Sequence, residues 1–175
     1  MGESQHHQRT GIIFKPGMSD DEVEALMEPA PFARGSSREV YRVKEDADCV
    51  VKKAIGARPT SNMIEWFVWL GSADHPSLAN VLGRCFALSE SGRYLVMERL
   101  DDIDKGDYAV IPDVPLWLND LKPDAFGKRH GTIKVRDYGV LKYEKLLKRK
   151  LGHPPAFAMN ARTALFLDNL GGAKK

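Results

Sequence analysis

A chain of 175 residues, 43% hydrophobic and 29% charged, can bury one respectable core but is too short for two full domains. No run approaches the roughly 18 apolar residues of a membrane span, and the opening MGESQHHQRTG has no apolar stretch behind it, so a cytoplasmic protein without a membrane segment is expected. Net charge is only +2, which implies no bulk attraction to nucleic acid; the basic cluster KYEKLLKRK at 142–150 reads first as the solvated face of a helix.

Ser19-Asp20-Asp21-Glu22 has the pattern of a capping box and predicts a short helix over 19–27. Pro29, Pro31 and Gly35 interrupt regular structure before 39–43 alternates polar and apolar, as a half-buried strand does. After a turn-like 45–48, the β-branched run 49–55 predicts a second strand. Pro59 to Ser61 open a helix that Gly71 closes, with Ile64, Phe67 and Val68 as its expected sheet-facing side and Trp66 and Leu70 as candidates to join it. Segments 83–88 and 93–100 read as strands joined by Ser89-Glu90-Ser91-Gly92. Residues 101–113 are acidic and loop-like. A second hairpin is expected over 125–135, turning at 128–131, and amphipathic helices at 140–151 and 159–170. Cys49 and Cys85 sit among apolar neighbours and read as buried free thiols. Trp66, Trp69 and Trp117 are large apolar groups that so small a core is not expected to cover fully.

Seven segments follow one another in a set order. Gly35-Ser36-Ser37-Arg38-Glu39-Val40-Tyr41 places a glycine ahead of the first strand, and Val50-Val51-Lys52-Lys53-Ala54 places two lysines in the second. Asn62-Met63-Ile64-Glu65-Trp66 puts a carboxylate in the helix, and His75-Pro76-Ser77-Leu78-Ala79-Asn80-Val81 begins ten residues beyond Glu65. Tyr94-Leu95-Val96-Met97-Glu98-Arg99-Leu100 follows. Finally Asp120-Leu121-Lys122-Pro123-Asp124-Ala125 and Asp137-Tyr138-Gly139 stand 17 residues apart with one hairpin between them. In this order and spacing the chain resembles the protein-kinase-like superfamily, in a truncated minimal form similar to short kinase-like proteins of bacterial viruses.

That resemblance implies an α+β fold: a kinase-like amino-terminal lobe of antiparallel sheet plus one helix, a catalytic-loop hairpin, and a drastically reduced helical carboxy-terminal lobe. The corresponding divisions are an amino-terminal extension at 1–31, the lobe at 32–100 and the reduced lobe at 101–175. It implies ATP and magnesium as cofactors. Gly35, Ser36, Ser37 and Val40 would cover the phosphates, Val50 and Met97 would border the adenine, and Glu98 and Leu100 would offer it main-chain contacts. Lys52 would bind phosphate and pair with Glu65; it is preferred over Lys53 because Val50, two positions earlier, shares its face. Asp120 would orient or deprotonate the acceptor hydroxyl, Lys122 would stabilise the transferring group, and Asp137 would bind the metal.

The chain departs from the family pattern in four ways. One glycine stands where three are usual, with Arg38 at the position of the third. Leu118-Asn119 replaces the His-Arg ahead of Asp120, which removes a receiver for activation-loop phosphate. Ala125 occupies the position of the second metal ligand and has no oxygen to give, leaving Asp124 as its substitute. Only 36 residues follow Gly139, too few for a substrate-binding lobe. Two functions are therefore expected of such a chain: a minimal ATP-dependent phosphotransferase onto a protein or small-molecule hydroxyl, or a non-catalytic, pseudokinase-like binding protein that engages a host or partner protein.

Overall fold

The computed structural model describes residues 12–56, 59–72, 75–119 and 121–142, with the backbone of 151–152. It is an α+β protein with a five-stranded antiparallel sheet and few helices, compatible with a kinase-like amino-terminal lobe. The chain divides into two compact units, Met1–Trp66 with Arg84–Arg99, and Phe67–Gly83 with Leu100–Lys175.

In the first unit, helix α1 (Asp20–Leu26) starts at the capping box: Glu22 N–H donates to Ser19 Oγ at 3.2 Å and Ser19 N–H to Glu22 Oε2 at 2.7 Å. The sheet runs β1-β2-β3-β5-β4, with β1 at Ala33–Arg34, β2 at Arg38–Val43, β3 at Asp46–Ala54, β4 at Cys85–Leu88 and β5 at Tyr94–Glu98. Strand β3 begins three residues earlier than expected. Val43 pairs with Asp46, so Lys44 and Glu45 alone make the turn, and Glu45 takes a positive φ of 60° to close it.

Side chains alternate across the sheet. One face holds Tyr41, Val43, Cys49, Val51, Ala87, Tyr94 and Val96, and α1 covers it with Val23, Met27 and Met18. The covering segment is tied down at both ends: Gly17 N–H and Met18 C=O bond Leu88 and Glu90, and Glu28 N–H bonds the Arg42 carbonyl. Cys49 and Cys85 are buried free thiols, as their surroundings suggest.

Helix α2 (Thr60–Ser72) turns inward only part of the side expected, Trp66 but not Phe67 or Leu70. Phe67 is 61% exposed, whereas Asn62 and Glu65 are fully buried and Trp66 is 8% exposed. Spacings of three and four put these residues on one helix face, and polar groups of the sheet hold that face, as described below. Trp66 and Trp117 are both buried, contrary to the expectation that the core would leave them uncovered.

The second unit contains α3 (Pro76–Ala79) and the hairpin of β7 (Phe126–Arg129) and β8 (Thr132–Val135). Arg129 pairs with Thr132, so the turn is two residues, His130 and Gly131, with φ of 49° and 78°. Positive φ at both central positions matches the twist of the flanking strands, which makes this turn shorter than the four residues expected. Strand β7 also bonds Asp101 through Lys128, and there is no room for a side chain beside it: a Cβ on Gly127 would lie 2.9 Å from the Asp101 carbonyl oxygen. Strand β6 (Val114–Pro115) pairs with β9 (Leu151–Gly152). The segment 140–142 is extended rather than the start of a helix. Its backbone is engaged with another segment, Asn119 N–H to Val140 C=O at 3.0 Å and Lys142 N–H to Trp117 C=O at 2.7 Å, and such bonds displace the helical pattern. Residues 143–150, with most of the basic cluster, and the expected helix at 159–170 lie outside the described residues. Among the described residues no helix is long and apolar enough to cross a membrane.

Candidate functional site

In the first unit the face of the sheet opposite α1 carries Lys52, the preferred of the two lysines. Lys52 lies opposite Val40 on β2 and Leu95 on β5, and Val50 lies opposite Met97, so Val40, Val50, Lys52 and Met97 share a face. Lys52 Nζ donates to both Glu65 oxygens, at 3.1 and 2.9 Å. The carboxylate is fully buried and the ammonium is 8% exposed. A pair this dry carries a desolvation cost of several kcal/mol per ion, so its presence is not explained by stability alone.

Two further groups build this site, and the sequence reading had assigned neither of them a part in it. Arg38, the first residue of β2, sends Nη1 to Glu65 Oε2 at 2.9 Å, with its side chain only 9% exposed. Two cations thus converge on one oxygen. Asn62, one turn before Glu65 on α2, donates its amide to the carbonyls of Lys52 at 3.0 Å and Arg93 at 2.8 Å. It fastens the helix to the strand that carries the lysine. A signal for Arg38 was present in the alternation of β2, which puts residue 38 on the face of Val40 and hence of Lys52; the signal for Asn62 was its i−3 spacing from Glu65.

Gly35, Ser36 and Ser37 are exposed and form the β1–β2 turn, closed by Gly35 N–H to Arg38 C=O at 2.8 Å and by Ile55 N–H to Ser37 C=O at 2.8 Å. Lys53 points to the other face, 3.3 Å from Glu24. The Glu98 backbone N–H bonds the Arg84 carbonyl at 2.8 Å, while its side chain accepts from Arg84 N–H at 2.7 Å.

In the second unit the residues around the two aspartate motifs are stitched together by the backbone. Lys122 precedes a single 3-10 turn, Pro123–Ala125, and Ala125 C=O accepts from Arg136 N–H at 2.8 Å and Asp137 N–H at 3.2 Å. Arg136 acts as a staple. Its Nε donates to Asp124 C=O and its Nη1 to Leu100 C=O, each at 3.1 Å, and its Nη2 meets Asp102 at 2.7 Å. Tyr138 is fully buried, and its hydroxyl donates to Gly83 C=O at 2.6 Å. Asp124, Asp137 and Lys122 are exposed, and Ala125 is buried. Asp120 lies outside the described residues. Among the described residues no three His, Cys, Asp or Glu side chains gather as a metal site. Asp124 and Asp137 do have the hard oxygen donors that magnesium takes.

Titration in the described regions follows local bonds. A hydrogen bond from Tyr94, then one from Lys53, holds the Glu24 carboxyl below its usual range, and burial with the same bond raises the Tyr94 phenol. Lys128 likewise depresses Asp107, which it meets at 2.7 Å.

At the coarse level the described residues form an α+β fold whose five-stranded antiparallel sheet is compatible with a kinase-like lobe. No family model and no curated protein matches the chain. Among solved structures it is similar to the bifunctional kinase-methyltransferase WbdD, in a medium-resolution and a high-resolution determination, each at 15% identity and a TM-score of 0.40. The alignments cover 91% of this chain but 39% and 38% of the other, so the chain spans well under half of the protein it matches.

Proposed function

We propose that this protein is a minimal kinase-like phosphotransferase that uses ATP and magnesium to phosphorylate a protein or small-molecule hydroxyl. The observation that carries the proposal is the buried Lys52–Glu65 pair, bridging the strand and helix that hold the corresponding lysine and glutamate in protein kinases. In this reading Glu65 orients Lys52 toward the phosphates, the turn Gly35-Ser36-Ser37 covers them, and Val40, Val50, Met97, Glu98 and Leu100 form the adenine end. Asp120 receives or orients the acceptor hydroxyl proton and Lys122 steadies the transferring group. Asp137, with Asp124, would hold magnesium, whose part is to neutralise charge on the phosphates.

A second reading, a pseudokinase-like protein that engages a host or partner protein, is favoured by one observation: buried Ala125 has no side-chain oxygen at the position of the second metal ligand. Nucleotide binding and transfer distinguish the two. Mg-ATP at about a hundred times its dissociation constant should stabilise the fold by roughly 2.7 kcal/mol, read as a rise in melting temperature. Transfer of labelled γ-phosphate to the protein or to a cell extract should vanish in Asp137→Ala and fall strongly in Lys52→Ala. No melting shift at millimolar Mg-ATP defeats the enzyme reading; binding without transfer leaves the second.

A further inference from the structure

The residue that breaks the glycine pattern is itself part of the buried charge cluster. Arg38 follows the turn Gly35-Ser36-Ser37 directly, opens β2, and shares the Oε2 atom of Glu65 with Lys52, each at 2.9 Å. Arg38, Lys52 and Glu65 by themselves carry two positive charges and one negative, and all three are at least nine-tenths buried. Electrostatic interactions gain strength where water is excluded, and a guanidinium is the side chain best matched to phosphate oxygens. A glycine-rich turn receives phosphate with backbone N–H groups; this turn has one glycine and places a buried cation at its end.

We propose that Arg38 and Lys52 form a two-cation site for a polyphosphate chain, in which Arg38 supplies by its side chain the phosphate contact that missing glycines would otherwise supply by their backbone. Glu65 then has two tasks: it holds both cations in place while the site is empty, and it competes with the phosphate for them. This rests on the nucleotide reading above and assigns the phosphate end of the same site.

The test uses the full chain, with calorimetric titration of Mg-ATP, of inorganic tripolyphosphate and of adenosine. Arg38→Gln should weaken tripolyphosphate and Mg-ATP by about 10- to 100-fold, the scale of a lost charged hydrogen bond, and leave adenosine unchanged. Arg38→Lys should restore part of the loss. Glu65→Gln gives the decisive sign: it removes the competing negative charge, so tripolyphosphate should bind more tightly although γ-phosphate transfer falls. Tighter binding in this variant supports the two-cation site even if Arg38→Gln does not fold. Weaker binding overturns it and reduces Arg38 to a brace for Glu65. Wild-type binding of Mg-ATP that Arg38→Gln leaves intact overturns this inference but spares the nucleotide reading. Arg38-dependent binding of tripolyphosphate with no binding of ATP does the reverse, and binding of neither overturns both.

Discussion

Lys52 and Lys53 are neighbours on one strand and meet opposite fates. Lys52 turns to the face that meets Glu65 and Arg38 and is 8% exposed; Lys53 turns to the α1 face, lies near the rings of Tyr41 and Tyr94, and meets a Glu24 side chain that is 48% exposed. Two ion pairs formed by adjacent lysines therefore differ in what they can do. The solvated pair is worth little because water and salt screen it. The dry pair is expensive to assemble and more expensive to break, since either partner left alone is a buried charge. The alternation of a strand, not residue type, thus decides which lysine enters a buried charge cluster and which stays solvated.

Substituting both lysines tests this contrast directly. Lys52→Met should cost about 3 kcal/mol, the lower end for breaking a buried pair because Arg38 remains beside Glu65, whereas Lys53→Met should cost less than about 1 kcal/mol. Urea unfolding measures both, and equal losses would erase the distinction between the faces. Next in size is Asn62→Leu, which removes the amide that donates to the Lys52 and Arg93 carbonyls. A loss of about 2 kcal/mol is expected; a neutral result would mean that the α2 anchor lies elsewhere.

On the α1 face, Tyr94→Phe should cost about 1 kcal/mol, the ordinary net value of a hydrogen bond. The smallest effect is in acid. Because Glu24 is held below its usual value of 4.5, the stability it contributes is full above pH 4.5 and is lost as pH falls through its lower folded value. The gap in melting temperature between wild type and Glu24→Gln should therefore close below pH 4.5. A gap that widens in acid would contradict the assigned hydrogen bond from Tyr94.

Much of the first unit was legible because its signals are local. A side-chain oxygen three residues from an acid begins α1, alternation marks β2, a β-branched run marks β3, and the Ser-Gly composition turns β4 into β5. The inward side of α2 is legible only at Trp66 because the rest of its buried face is polar: hydrophobic periodicity has no way to register Asn62 and Glu65, whose burial is sustained by partners far away in sequence. Segment 140–142 was misread for a related reason, since bonds to Trp117 and Asn119 outrank a helical pattern that would need only its own neighbours. Arg136 had no signal at all beyond its place next to Asp137.

What the sequence by itself determined, from local signals alone, is the chain order of β2 to β5, the starts of α1 and α2 and the β7–β8 hairpin, because each follows from patterns and bonds spanning a few residues. It also marked Lys52 as the inward lysine through strand alternation alone. Only the tertiary structure decided that Arg38 belongs with Lys52 and Glu65, and that Asn62 fastens their helix to the sheet. Such contacts join residues 10 to 31 positions apart. Their energies depend on burial, and burial is a property of the assembled fold rather than of any segment in it.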